Sequence, residues 1–227
     1  MKKVISTLMF LALIPLSSYT LSMPSMPKFG AKPEPESEAK EPAASAADSQ
    51  DALVSQFKDT LSSILLAQKY LAIAFDQADQ ASQLDAEMTS LEGDCGKDCL
   101  ARATKVSVDA NKSIGKKLDA QAEISAEGKA NYLLAIPPYI KGTLSAKDLA
   151  TAAADWGKQA TGEIKSAGMM NAPKLKKKLD SGMYVAQQTP KLIKNWATAT
   201  KQLATYAKAS DIDLGSVEGA SDFDFGD

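Results

Sequence analysis

The chain has no histidine, a single arginine and two cysteines in 227 residues, and aromatics make up only 6% of it. Each shortage removes chemistry. Without histidine there is no Ser-His or Cys-His catalytic pair, no His-ligated haem and no mixed Cys/His zinc site. Arg102 is the only arginine, so a bidentate guanidinium clamp on phosphate or on a base edge occurs at most once. Two thiolates with no histidine and no second cysteine pair leave a zinc ion incompletely coordinated, so neither metal nor cofactor is expected. No side chain titrates near neutrality when unperturbed, and a sharp switch between about pH 6 and 8 is not expected. What remains is lysine, carboxylate and hydroxyl chemistry.

The residues that are present favour helix. The 44% hydrophobic content leans heavily on alanine, which favours helices over sheets. The fold class expected is all-α: an elongated bundle of four to five helices built on a long antiparallel helical hairpin.

Four segments are expected along the chain. Over 1–22, the basic Lys2 and Lys3, the apolar run Val4 to Leu16 and the small residues after it read as a signal peptide, so the mature protein is expected in the periplasm or secreted. Over 23–47, five prolines among Glu34, Glu36, Glu38 and Glu41 read as a disordered linker. Over 48–210 lies the helical domain. Over 211–227, six acids with no base read as a disordered tail.

Within the domain, apolar residues recur at helical spacing from Leu53 through Phe57, Leu61 and Ile64 to Leu91, with Asp48 or Ser49 as cap and no proline or glycine before Gly93. A single first helix on the order of 65 Å is expected. A second opens at Leu100 and stops at Pro137-Pro138. A third starts at a capping box, Ser145-Ala146-Lys147-Asp148, and ends at Gly168. A fourth follows Pro173, and Thr189-Pro190 reads as the cap and first residue of a fifth, whether separate or continuous with the fourth.

Cys95 and Cys99, in the glycine-bearing turn between the two long helices, are expected to form a disulfide in an oxidising compartment. A redox pair is disfavoured, since three residues rather than two separate them.

Charge is sorted along the chain. Asp51 to Glu92 carries seven acids against Lys58 and Lys69, whereas Pro137 to Ser210 carries twelve lysines against Asp148, Asp155, Glu163 and Asp180. One reading is intramolecular, with the acidic first helix beside the basic later ones and the acidic tail over the lysines. The other is a binding surface at Lys174, Lys176, Lys177 and Lys178 for an anionic surface or partner, a protein or an envelope component. Nucleic acid is not expected, because no recognised motif or aromatic-interleaved basic face occurs.

Leu61 to Phe75 is apolar almost all round, so Leu61, Ile64, Leu65, Leu71, Ile73 and Phe75 are either core or lipid-contacting. Membrane activity through this segment is the alternative function. A Ser-Lys hydrolase is a third, with no strained nucleophile turn to support it. The alternating acids Asp211, Asp213, Asp222 and Asp224 lack the remaining ligands of a calcium loop. The reading favoured is an exported, non-enzymatic protein acting through surface interactions.

Overall fold

A computed structural model describes residues 44–220, 223 and 224, all within the compact unit Pro42–Asp227. The expected signal peptide over 1–22 and the linker up to residue 43 lie outside the described residues. Among those described there is no strand, and the fold is all-α. Six helices are present rather than four to five: α1 Ala46–Ala74, α2 Ala78–Glu92, α3 Lys97–Asp119, α4 Ala126–Ser166, α5 Gly168–Lys178 and α6 Asp180–Ala209.

The differences from expectation lie in where helices stop. Neither long helix of the expected hairpin is continuous. α1 ends at Asp76, which takes a left-handed φ of 56°, and α3 ends at Gln121 with φ 49°. At each end the backbone closes the same way. Asp76 N donates to Ile73 O and Gln77 N to Ala72 O, while Gln121 N donates to Leu118 O and Ala122 N to Lys117 O. These bonds satisfy carbonyls that a helix end leaves orphaned, an arrangement usually built on glycine. Here aspartate and glutamine occupy the glycine position, so the sequence carries no glycine or proline to mark the break. α6 ends likewise at Asp211, with φ 53° and Ile212 N donating to Ala207 O.

The opposite occurs in α4, which runs unbroken through Pro137-Pro138 and through the expected capping box at Ser145. An interior proline costs about 3 kcal/mol. Flanking the pair, Tyr132, Ala135, Ile136, Tyr139 and Ile140 are all buried. Tyr132 Oη donates to Leu203 O and Tyr139 Oη to Trp196 O, both at 2.6 Å. Two buried aromatic side chains, each removing roughly 150–250 Å² from water, outweigh the lost backbone bonds. α6 similarly continues through Pro190, and Thr189 donates its hydroxyl to Val185 O instead of capping a new helix. The break between α5 and α6 falls at Leu179. α1 starts two residues before its expected cap. Ser45 is the cap, in a reciprocal box with Asp48, and the two hydrogen bonds from Ser45 hold the Asp48 carboxyl below its ordinary range.

α1 is packed by α2, α3, α4 and α6. It runs antiparallel to α4, with Ala46 beside Trp156, Ile64 beside Gly142 and the Ala74 carbonyl beside Gly128. α4 runs antiparallel to α6 through the Tyr132–Leu203 and Tyr139–Trp196 bonds. α3 is tied to α1 by buried Gln68, whose amide donates to Ser107 O and Asn111 Oδ1. Arg102, the only arginine, makes a structural pair with the buried Glu87 at 2.8 Å, joining α3 to α2.

The acidic segment after Ser210, expected to be disordered, begins as ordered chain. Ile212 and Ala220 are buried, and Asp213 accepts from Gly215 N to cap a 3-10 turn, Leu214–Ser216. Two buried apolar side chains and the reversal at Asp211 anchor it despite its charge.

Two outcomes follow from these caps and tyrosines. Asp76→Gly and Gln121→Gly, which relieve the left-handed conformation of a residue bearing Cβ, are each expected to raise stability by up to about 1 kcal/mol in urea unfolding. Burial pushes both the Tyr132 and Tyr139 hydroxyls well above the usual tyrosine value of 10.0. The folded state therefore holds these protons more tightly than the unfolded one. Their stabilisation is complete below about pH 10 and is lost as pH rises beyond it. Circular dichroism should show helix loss above about pH 10 together with tyrosinate absorbance, and Tyr139→Phe should move that loss to higher pH.

Candidate functional site

α5 differs from every other helix because it buries none of its residues. It is set apart at both ends. At its start Gly168 adopts φ 71°, a left-handed turn that ends α4 where the sequence places the end. At its finish Leu179 is fully buried and pins the chain to the core before α6 begins. Between these anchors Leu175 is half-buried and the remaining face meets solvent.

Lys174, Lys176, Lys177 and Lys178 are all exposed, as is Lys165 in the last turn of α4. None of the five makes an ion pair among the described residues; of the twelve lysines from Pro137 to Ser210, only Lys158 does, with Asp155 of its own helix. Lys178 lies close enough to Asp48 for its charge to contribute, as the weakest cause, to the lowered Asp48 carboxyl. Three of the lysines occupy the last turn of α5, where the helix end is negative, so part of their local role is to stabilise that end.

The acidic tail does not cover this cluster at its root. It leaves α6 beside α4's first turn, where Lys129 donates to Ser210 O, whereas α5 precedes the other end of α6. Thirty residues of helix, about 45 Å, lie between. The expected neutralisation of basic helices by acidic ones is likewise not made by direct pairs. The carboxylates over 51–92 that form ion pairs, Asp85 and Glu87, take Lys69 and Arg102.

Sequence reasoning missed three residues here. Met169 and Met170 are 94% and 88% exposed, the two most exposed large apolar side chains among the described residues. Their signal was an adjacent methionine pair with no large apolar residue three or four positions away to extend a buried stripe. The third is Gln50 of α1, whose Nε2 donates to Lys178 O at 3.3 Å while its Oε1 accepts from Gly182 N at 3.1 Å. One side chain thus caps the end of α5 and the start of α6. Nothing local in the sequence points to it, because its partners lie more than a hundred residues away.

The other sequence candidates fall elsewhere. Leu61, Ile64, Leu65, Leu71 and Phe75 are in the core, whereas Ile73 is 37% exposed. No helix among the described residues is long and apolar enough to cross a membrane. Cys95 and Cys99 are disulfide-bonded across the first turn of α3, where the cap residue Gly96 has no side chain to bond the free N–H groups. So short a loop contributes roughly 2 kcal/mol by the chain-entropy argument. A groove of about 740 Å³ between α1 and α4 collects Ser55, Asp59, Ser63, Lys141, Ser145 and Asp148. Its Ser63 hydroxyl donates to Asp59 O of its own helix.

Gln50→Ala removes both caps at the α5–α6 junction, and the expected cost is about 1–2 kcal/mol in urea unfolding with the helix content at neutral pH retained. No protein-family model, curated protein or solved structure matches this chain.

Proposed function

We propose that the protein is an exported, non-catalytic helical protein that works by binding an anionic protein or envelope component through α5. The observation that carries this reading is the cluster of exposed lysines, without ion-pair partners among the described residues, on a helix held to the core mainly through its ends. Desolvating a surface charge that is already paired forfeits that pair, whereas these lysines have no direct ion pair among the described residues to give up on meeting an external anion. Lysine supplies general attraction to negative charge rather than a fixed geometry, which suits a broad anionic surface more than one small ligand. The disulfide supports an oxidising compartment. Burial of Leu61, Ile64, Leu65, Leu71 and Phe75 favours a core role for that segment over lipid insertion, since inserting it would first dismantle the α1–α4 contact.

The test uses the protein's own charge imbalance. With formal net charge −2 and pI about 5.4, the intact protein should pass a cation-exchange resin at pH 7 unless a patch orients it. Retention eluted by salt is expected. Reversing Lys174, Lys176, Lys177 and Lys178 to glutamate should abolish it, whereas reversing the dispersed Lys141, Lys147, Lys191 and Lys194 should reduce it far less. Equal loss from both sets would overturn the reading.

A further inference from the structure

Resting on that binding-surface reading, we infer that the anionic partner of α5 is a lipid bilayer surface, with the methionines entering the interfacial layer and the lysines meeting the headgroups. Met170, Pro173, Lys174 and Lys177 recur three and four residues apart, and therefore share the face opposite the inward-turned Leu175 and Leu179. All four are exposed. The face thus combines the flexible, apolar Met170 at its N-terminal end with positive charge along the rest, and Met169, likewise exposed, lies at its edge one residue before.

An acidic protein would also attract the lysines, but two features favour lipid. The residues that dominate protein interfaces, tryptophan, tyrosine and arginine, are absent from α5. Lysine clusters beside an apolar anchor are what an anionic membrane surface rewards, at about 1 kcal/mol for each charge near the headgroups. The exposed methionines have no core to fill, so their apolar surface is available for burial against a partner. At an interface their unbranched side chains adapt to disordered acyl chains. The contact is peripheral, because eleven residues of α5 are too few to span a bilayer.

Sedimentation with vesicles tests this. The intact protein is expected to sediment with vesicles of phosphatidylglycerol and phosphatidylcholine in equal parts, not with phosphatidylcholine alone, and to be released by salt. Each Lys→Gln change at Lys174 or Lys177 should lower partitioning about fivefold. Replacing both methionines by serine leaves charge unchanged and should lower it by about tenfold. These side chains bury nothing, so unchanged circular dichroism confirms that the variants fold. Wild-type binding by the methionine variant would overturn the bilayer contact in favour of simple adsorption or an acidic macromolecular partner. Failure to bind anionic vesicles, with resin retention intact, would overturn the lipid inference and leave the surface reading standing. Loss of patch-specific retention would remove that reading as well.

Discussion

The close contact between α1 and α4 is the constraint on which the other helices depend. A Cβ on Gly142 would sit 2.6 Å from Ile64 Cδ1, and one on Gly128 would sit 2.8 Å from the Ala74 carbonyl oxygen. Two glycines fourteen residues apart thus let the backbones approach along nearly four turns, in the same antiparallel register that sets Trp156 Nε1 to donate to Ala46 O. Packing at that distance has no room for repositioning, because interiors are filled to crystal-like density. Everything that touches both helices inherits the alignment.

α6 inherits it most directly. Once α4 is fixed, Tyr132 and Tyr139, seven residues apart, meet the Leu203 and Trp196 carbonyls, also seven apart, and set the register of α6. Gly182 then lies under the Trp156 ring, with an added Cβ only 2.4 Å from it, and its N–H meets Gln50. That register leaves the ten residues after Gly168 to connect α4 to α6 outside the core. α5 is the connection. Its exposure, and with it the exposure of its lysines and methionines, follows from the spacing of two helices that have nothing to do with charge.

The helix ends show how far local sequence carries. Gly168, which the sequence marks as a terminator, is one, because glycine reaches the left-handed conformation without strain. Asp76 and Gln121 terminate helices with no such mark, since the left-handed cost of a residue bearing Cβ is offset by the carbonyls it closes and by what the reversed chain goes on to bury. Pro137-Pro138 and Pro190 bear the mark and do not terminate, for the converse reason: the aromatic residues around them are worth more buried along one continuous helix than the backbone hydrogen bonds the prolines forfeit. Of the candidate surface, the four lysines were legible as a run of like charge. Gln50 was not, because a cap supplied from another helix has no local signature.

The sequence by itself determined the helical class, the cysteine pairing and the separation of acid from base, because these follow from composition, short-range spacing and the absence of competing chemistry. Tertiary structure decided where the helices break, which apolar segment is core and which charges stay unpaired. Those outcomes depend on energies of a few kcal/mol that arise only when distant residues meet, and at Asp76, Gln121 and the three interior prolines they exceed the local preference. The missing histidines leave lysine and carboxylate to carry the surface chemistry. Which lysines stand exposed and without a direct ion pair among the described residues follows from the packing of α1 against α4.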